Sequence, residues 1–143
     1  MKGAETIRTE SYLAQLRAVA TRYDFPLEEI EAVQDIMQWC NERGIEENNS
    51  WRVGKCLRNR TNGKYRILLA AEITPEIKNS VLAAMEYRGF GNEVSSLEAS
   101  EKFLEHLLLH EIAHAKHETW EEKDCDKWAF NELKGPYKGH GSI

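Results

Sequence analysis

Cysteine is scarce in this sequence: Cys40, Cys56 and Cys125 are the only three in 143 residues, and no two form a CxxC pair. An odd, widely spaced set excludes a disulfide framework and a zinc knuckle, and the thiols are read as reduced. Nor does any apolar run approach the roughly 18 residues that a membrane span requires. The opening MKGAETIRTE lacks the apolar core of a signal peptide, so the chain is read as soluble and cytoplasmic, with no membrane partner. Positive charge is not in excess either, because 19 Lys and Arg against 24 Asp and Glu give a net charge of -5. Phosphate binding is driven by clustered Lys and Arg, so nucleic acid is not expected as a general partner. One local exception stands out. Between Trp51 and Arg66 lie Arg52, Lys55, Arg58, Arg60, Lys64 and Arg66, without a single acid.

What remains is the balance of a globular chain, 41% hydrophobic and 30% charged, at the length of one domain that buries its core without staples. No internal repeat, linker or helix-turn-helix segment is visible, so residues 1–134 are read as one domain and the Gly-rich residues 135–143 as a flexible tail. Leu13, Leu16 and Val19 predict a first helix within Thr9 to Tyr23. Pro26 at a first helical position, an apolar stripe of Ile30, Val33, Ile36, Met37 and Cys40, and a stop at Gly44 predict a second. Trp51 to Leu57 and Tyr65 to Ala71 flank a turn containing Asn62-Gly63, which predicts a hairpin whose RILLA strand is the more buried. Thr74-Pro75 opens a further helix that closes at Gly89 to Asn92. Ser95 and Glu98 match a capping box, so the next helix is expected to start there. It carries Leu97, Phe103, Leu104, Leu107, Leu108, Leu109 and Ile112 and belongs at the centre of the core. A last helix is expected over Glu121 to Leu133.

The central helix contains His110-Glu111-Ile112-Ala113-His114, an HExxH motif in the context it requires. Residues four apart stack one turn above another, so two imidazoles project the same way and can share one zinc ion (Zn2+). Glu111, on the shoulder of that face, is placed to act as general base on a water that zinc makes acidic. Two neutral imidazoles plus a carboxylate suit zinc better than calcium or magnesium. A catalytic zinc needs a third protein ligand and one open position. Metzincin spacing would place Gly at position 117 and His at 120, where this chain has His117 and Trp120, so a carboxylate is favoured.

Glu122-Lys123-Asp124-Cys125-Asp126-Lys127-Trp128-Ala129 is similar to the E-x-x-A-D-x-F-A element that follows HExxH in gluzincin-type peptidases, with Cys125 in place of Ala and Trp128 in place of Phe. Leu97 to Leu133 thus resembles the ImmA/IrrE family of small zinc metallopeptidases and, less closely, the HtpX-like peptidases. The resemblance implies Glu122 as third ligand and Asp126 as a partner behind a metal-bound His. On spacing alone Asp126, His117 or Glu118 remain alternatives, because the chain must turn sharply near His117 to Trp120 for Glu122 to fold back. The resemblance also implies an α+β, zincin-like fold, with a small twisted sheet beside the active-site helix. A peptide or protein substrate would then lie along an edge strand.

The expected activity is therefore zinc-dependent peptide hydrolysis. The alternative is a non-catalytic, metal-stabilised module whose basic hairpin, residues 51–66, docks an acidic partner or nucleic acid with Trp51 and Tyr65 as stacking groups. A vestigial peptidase kept as a sensor is a third reading. His106 is expected behind the ligands or at the surface, Trp120 and Trp128 in the core, and Cys125 as a buried thiol. Tyr137 and His140 are candidate oxyanion donors only if the tail is ordered.

Overall fold

A computed structural model describes residues 5–134 of the chain. The flexible tail expected at 135–143, with Tyr137 and His140, lies outside the described residues. The described chain is α+β, with five α-helices and two small sheets. Ile7–Arg8 (β1) pairs antiparallel with Glu72–Ile73 (β5). The larger sheet has the order β2-β4-β3, formed by Leu27–Val33 (β2), Tyr65–Ala70 (β4) and Gly54–Arg58 (β3).

The hairpin forms as expected, with Gly54 opposite Leu69 and Arg58 opposite Tyr65. The loop closes by the Asn59 N–H donating to the Lys64 carbonyl at 2.7 Å. Gly63 takes φ +72, a conformation that favours glycine. β4 is the central strand, and its Ile67, Leu68 and Leu69 are fully buried. Successive side chains point to opposite faces of a strand. Ile67 and Leu69 thus join the main core, and Leu68 joins a smaller cluster with Val33, Ile36 and Cys40 on the other face.

The second expected helix is corrected. Leu27 to Val33 is a strand, parallel to β4, and only Ile36–Asn41 (α2) is helical. Ile30 faces the main core and Val33 the smaller one, so a strand with two buried faces followed by a short helix mimics a single helical stripe. Asp35 caps α2, accepting from the Gln38 N–H at 3.0 Å, and the chain reverses at Gly44 with φ +76. The first helix is also shorter than expected: Thr9–Tyr12 is a 3-10 turn, and Leu13–Ala20 (α1) is α-helical.

Thr74 caps Pro75–Met85 (α3), accepting from the Ile77 N–H at 3.2 Å. A wide π-type turn over Glu86–Phe90 follows and breaks at Gly89, φ +106. The Ser95 capping box does not form. Val94–Leu97 is a 3-10 turn, and Ser100–Lys116 (α4) begins after Ala99, with no side-chain cap. α4 is buried almost all round, with Phe103, Leu104 and Leu108 fully enclosed against α1, β3 and β4. It ends at His117, the chain turns at Glu118 and Thr119, and Glu122–Lys134 (α5) packs back along it. In α5 the Asp124 carboxylate accepts from the Glu121 N–H at 3.1 Å, as an acidic residue in a first helical turn commonly does. Among the described residues no helix is long and apolar enough to cross a membrane.

Candidate metal centre

His106, His110 and His114 occupy successive turns on one stripe of α4, and Asp126 and Glu122 occupy successive turns of α5, which runs the other way. Residues four apart on a helix share a face. Each carboxylate therefore falls between two imidazoles. Glu122 approaches Nε2 of His110 at 2.7 Å and Nε2 of His114 at 3.3 Å. One oxygen of Asp126 lies 2.7 Å from Nδ1 of His110 and 3.0 Å from Nε2 of His106. The other oxygen of Asp126 accepts from the Arg88 guanidinium, delivered by the turn after α3.

Two groups of donors converge closely enough to hold a metal ion: His110, His114 and Glu122, and His106, His110 and Asp126, the atoms of each within 4.8 Å of one another. They are not equivalent. Asp126 is 1% exposed and its two oxygens already serve His106, His110 and Arg88. Glu122 is half exposed and faces His110 and His114 from the open side. An ion in the first group meets a half-exposed carboxylate, whereas one in the second would displace the buried hydrogen bonds that Asp126 accepts from His106, His110 and Arg88.

The chemistry of the donors fits a cation in the first group. With a hydrogen on Nδ1 donated to Asp126, the Nε2 lone pair of His110 points at the Glu122 carboxylate, and two electron-rich atoms at that separation need a positive charge between them. A proton meets that need in the bare protein. Burial disfavours charging His110, but hydrogen bonds to Asp126 and Glu122 outweigh it and push the imidazole up to about 10. His110 and His114 in turn hold the Glu122 carboxyl well below its usual range. Burial also opposes ionisation of Asp126, yet the hydrogen bonds from His106 and His110 keep it ionised. His110, His114 and Glu122 are the residues that would hold a divalent cation here, and its charge would take the place of that proton. On the far side of His114, Nδ1 lies 3.5 Å from the sulfur of Cys125, a fully buried thiol that desolvation pushes up to about 12.

Glu111 projects from the same turn toward β3 rather than toward α5. It is 8% exposed, and burial raises its carboxyl above the usual range. Gly54, the first residue of β3, makes room for it, since a Cβ there would lie 3.1 Å from Glu111 Oε2. His110, Glu111 and Glu122 line a cavity of about 320 Å³ together with the apolar Val53, Val81 and Met85.

Of the other expected positions, His117 is held away, its ring stacked on Trp120 with centroids 3.8 Å apart. Glu118 is on the exposed turn beside Tyr65 and Arg58. His106 is fully buried behind the site, 4.2 Å from the Phe130 ring, and burial lowers its pKa. Trp128 packs on the main core beside Tyr23, while Trp120 is only partly buried. Arg88 and Gly54 went unnoticed in the sequence. Their spacing from the motif carries no local signal.

No protein-family model, curated protein or solved structure matches the chain.

Proposed function

We propose that this protein is a zinc-dependent metallopeptidase of zincin-like architecture, similar to the small ImmA/IrrE peptidases. The convergence of His110 Nε2, His114 Nε2 and the Glu122 carboxylate beside an open cavity that also holds a buried Glu111 carries the proposal. Zinc supplies Lewis acidity there, lowering the pKa of a water and polarising a carbonyl. Glu111 takes the proton from the attacking water and returns it to the departing amine. Its enclosure suits that task, because a raised carboxyl pKa approaches the working pH and holds the transferred proton better. Asp126, braced by Arg88 and His106, fixes the hydrogen of His110 on Nδ1 and leaves Nε2 for the ion. β3 has no second partner strand among the described residues and packs against α4. A peptide adding to that edge would bring its backbone past Gly54 and Glu111.

A closed structural zinc site would need a fourth protein ligand. Among the described residues the first group offers three, and two of them, His110 and Glu122, line the cavity with Glu111, which favours catalysis over a purely structural ion. The test is hydrolysis of a peptide library by the zinc-loaded protein. Glu111→Gln should keep zinc and lose cleavage, and His110→Ala should lose both. Equal cleavage by Glu111→Gln and the parent protein would refute the mechanism.

A further inference from the structure

Five of the six basic residues of the hairpin region separate into two sets. Arg52 and Lys55 are tied to the buried Glu47 at 2.8 and 2.6 Å, and Arg66 to Glu31 at 2.7 Å. These three side chains are held in ion pairs within the fold. Arg58 and Arg60 are different. Both line a cavity of about 690 Å³ together with Cys56, Tyr65, His114 and Glu118. Arg58 approaches Glu118 only at 3.9 Å, with both side chains largely exposed. Arg60 has no ion-pair partner among the described residues. This cavity shares His114 with the candidate metal centre and has no lining residue in common with the cavity that holds Val53, Val81 and Met85.

We infer that Arg58, Arg60 and the Tyr65 hydroxyl form a subsite for an acidic side chain of the peptide substrate, on the His114 side of the cleaved bond. The inference rests on the peptidase reading above and adds a substrate class to it. Two observations carry it. The first is register. Gly54, Cys56 and Arg58 alternate onto one face of β3, Gly54 against Glu111 and Cys56 and Arg58 in the cavity beside His114. A peptide paired along that edge at about 3.3 Å per residue therefore reaches Arg58 about 13 Å, or four residues, from the position beside Glu111. The long arginine side chains shorten that to three or four residues. The second is chemical. The Tyr65 hydroxyl donates to the Glu118 carboxylate at 3.4 Å and Arg58 lies beside the same oxygen, so a carboxylate already finds a phenol and a guanidinium there. One acid facing two guanidinium groups leaves a net positive charge for a second carboxylate.

The experiment uses a peptide series of one backbone sequence in which a single Glu, Gln or Lys is moved along the chain. Cleavage by the zinc-loaded protein is read as kcat/KM, and binding to zinc-loaded Glu111→Gln as fluorescence anisotropy of labelled peptides. The Glu peptide should be preferred over Gln about five- to tenfold when the acid is three or four residues from the cleaved bond, and high salt should erase the preference. Arg58→Gln with Arg60→Gln should abolish it. Arg60→Gln alone, at an exposed turn, should reduce it without disturbing the hairpin. Glu118→Gln should increase it by removing the competing carboxylate. Cleavage with no charge preference, or a preference unmoved by these variants, overturns the subsite and leaves the peptidase standing. Charge-selective binding without turnover by the parent protein supports the subsite and overturns the peptidase. Neither binding nor cleavage overturns both.

Discussion

Asp126→Asn separates an orienting carboxylate from a metal ligand. In the native protein one oxygen of Asp126 receives His110 Nδ1 at 2.7 Å and His106 Nε2 at 3.0 Å, and the other receives Arg88. Asparagine has only one oxygen. If that oxygen faces the imidazoles, the amide NH2 meets the Arg88 guanidinium, donor against donor. If the amide is turned round, the NH2 faces Nδ1 and drives the His110 hydrogen to Nε2, where the lone pair must bind the ion. Either outcome weakens zinc binding without removing a ligand, by about 10- to 100-fold, or about 1.4–2.7 kcal/mol. The metal-free fold should lose about 1.5–3 kcal/mol, the range for a hydrogen bond to a charged group. The 3–5 kcal/mol of a fully buried pair does not apply, because Arg88 keeps 29% of its side chain in solvent. Zinc affinity is read by competition with a chromophoric chelator near neutral pH, and stability by urea unfolding of the metal-free protein. An affinity within about twofold of the parent would show that Asp126 only holds α4 and α5 together. A loss as large as that of His110→Ala would make it a ligand.

Gly54→Ala places a methyl group 3.1 Å from Glu111 Oε2. Glu111 then has to move by a few tenths of an ångström, so kcat should fall about three- to tenfold at unchanged zinc content, measured by steady-state hydrolysis and metal analysis. Glu47 tests the packing under the hairpin. Burial opposes its ionisation, but Lys55 and Arg52 outweigh burial and hold the carboxyl down to about 2. A depressed carboxyl stabilises the fold above its ordinary pKa of about 4.5, and that contribution disappears as pH falls toward 2. Glu47→Gln should therefore cost on the order of 2 kcal/mol in urea unfolding at neutral pH, and progressively less as the solution is acidified below about pH 4.5. A cost independent of pH would mean that packing, not charge, holds the pair.

Signals carried by neighbours in sequence were legible. The HExxH pair, the apolar α4, the hairpin around Asn62-Gly63 and the Thr74 cap each depend on residues within a few positions of one another, and each takes the expected local form. β2 was not legible because its partner, β4, lies more than thirty residues away. Ile30, Val33, Ile36 and Cys40 keep helical spacing only because the strand buries both faces before α2 begins. The Ser95 box was misleading for a related reason: Leu97 is fully buried by a 3-10 turn, which delays the helix to Ser100. At the candidate site the motif pointed to His110, Glu111 and His114, and the family resemblance to Glu122 and Asp126, while spacing alone left His117 and Glu118 open. Arg88 reaches Asp126 across 38 residues, and Gly54 matters only through the space it leaves beside Glu111. Neither property is written in residue type or local spacing.

X-ray absorption at the zinc edge of the loaded protein probes the ligand shell directly. One zinc per chain should show two imidazole nitrogens at about 2.0–2.1 Å, a carboxylate oxygen at about 2.0–2.2 Å and one light-atom ligand that small anions displace. Glu122→Ala should remove the carboxylate contribution while both imidazoles remain. A shell of four protein ligands that no anion enters, or no bound zinc in the presence of excess metal, would contradict a catalytic centre built from His110, His114 and Glu122.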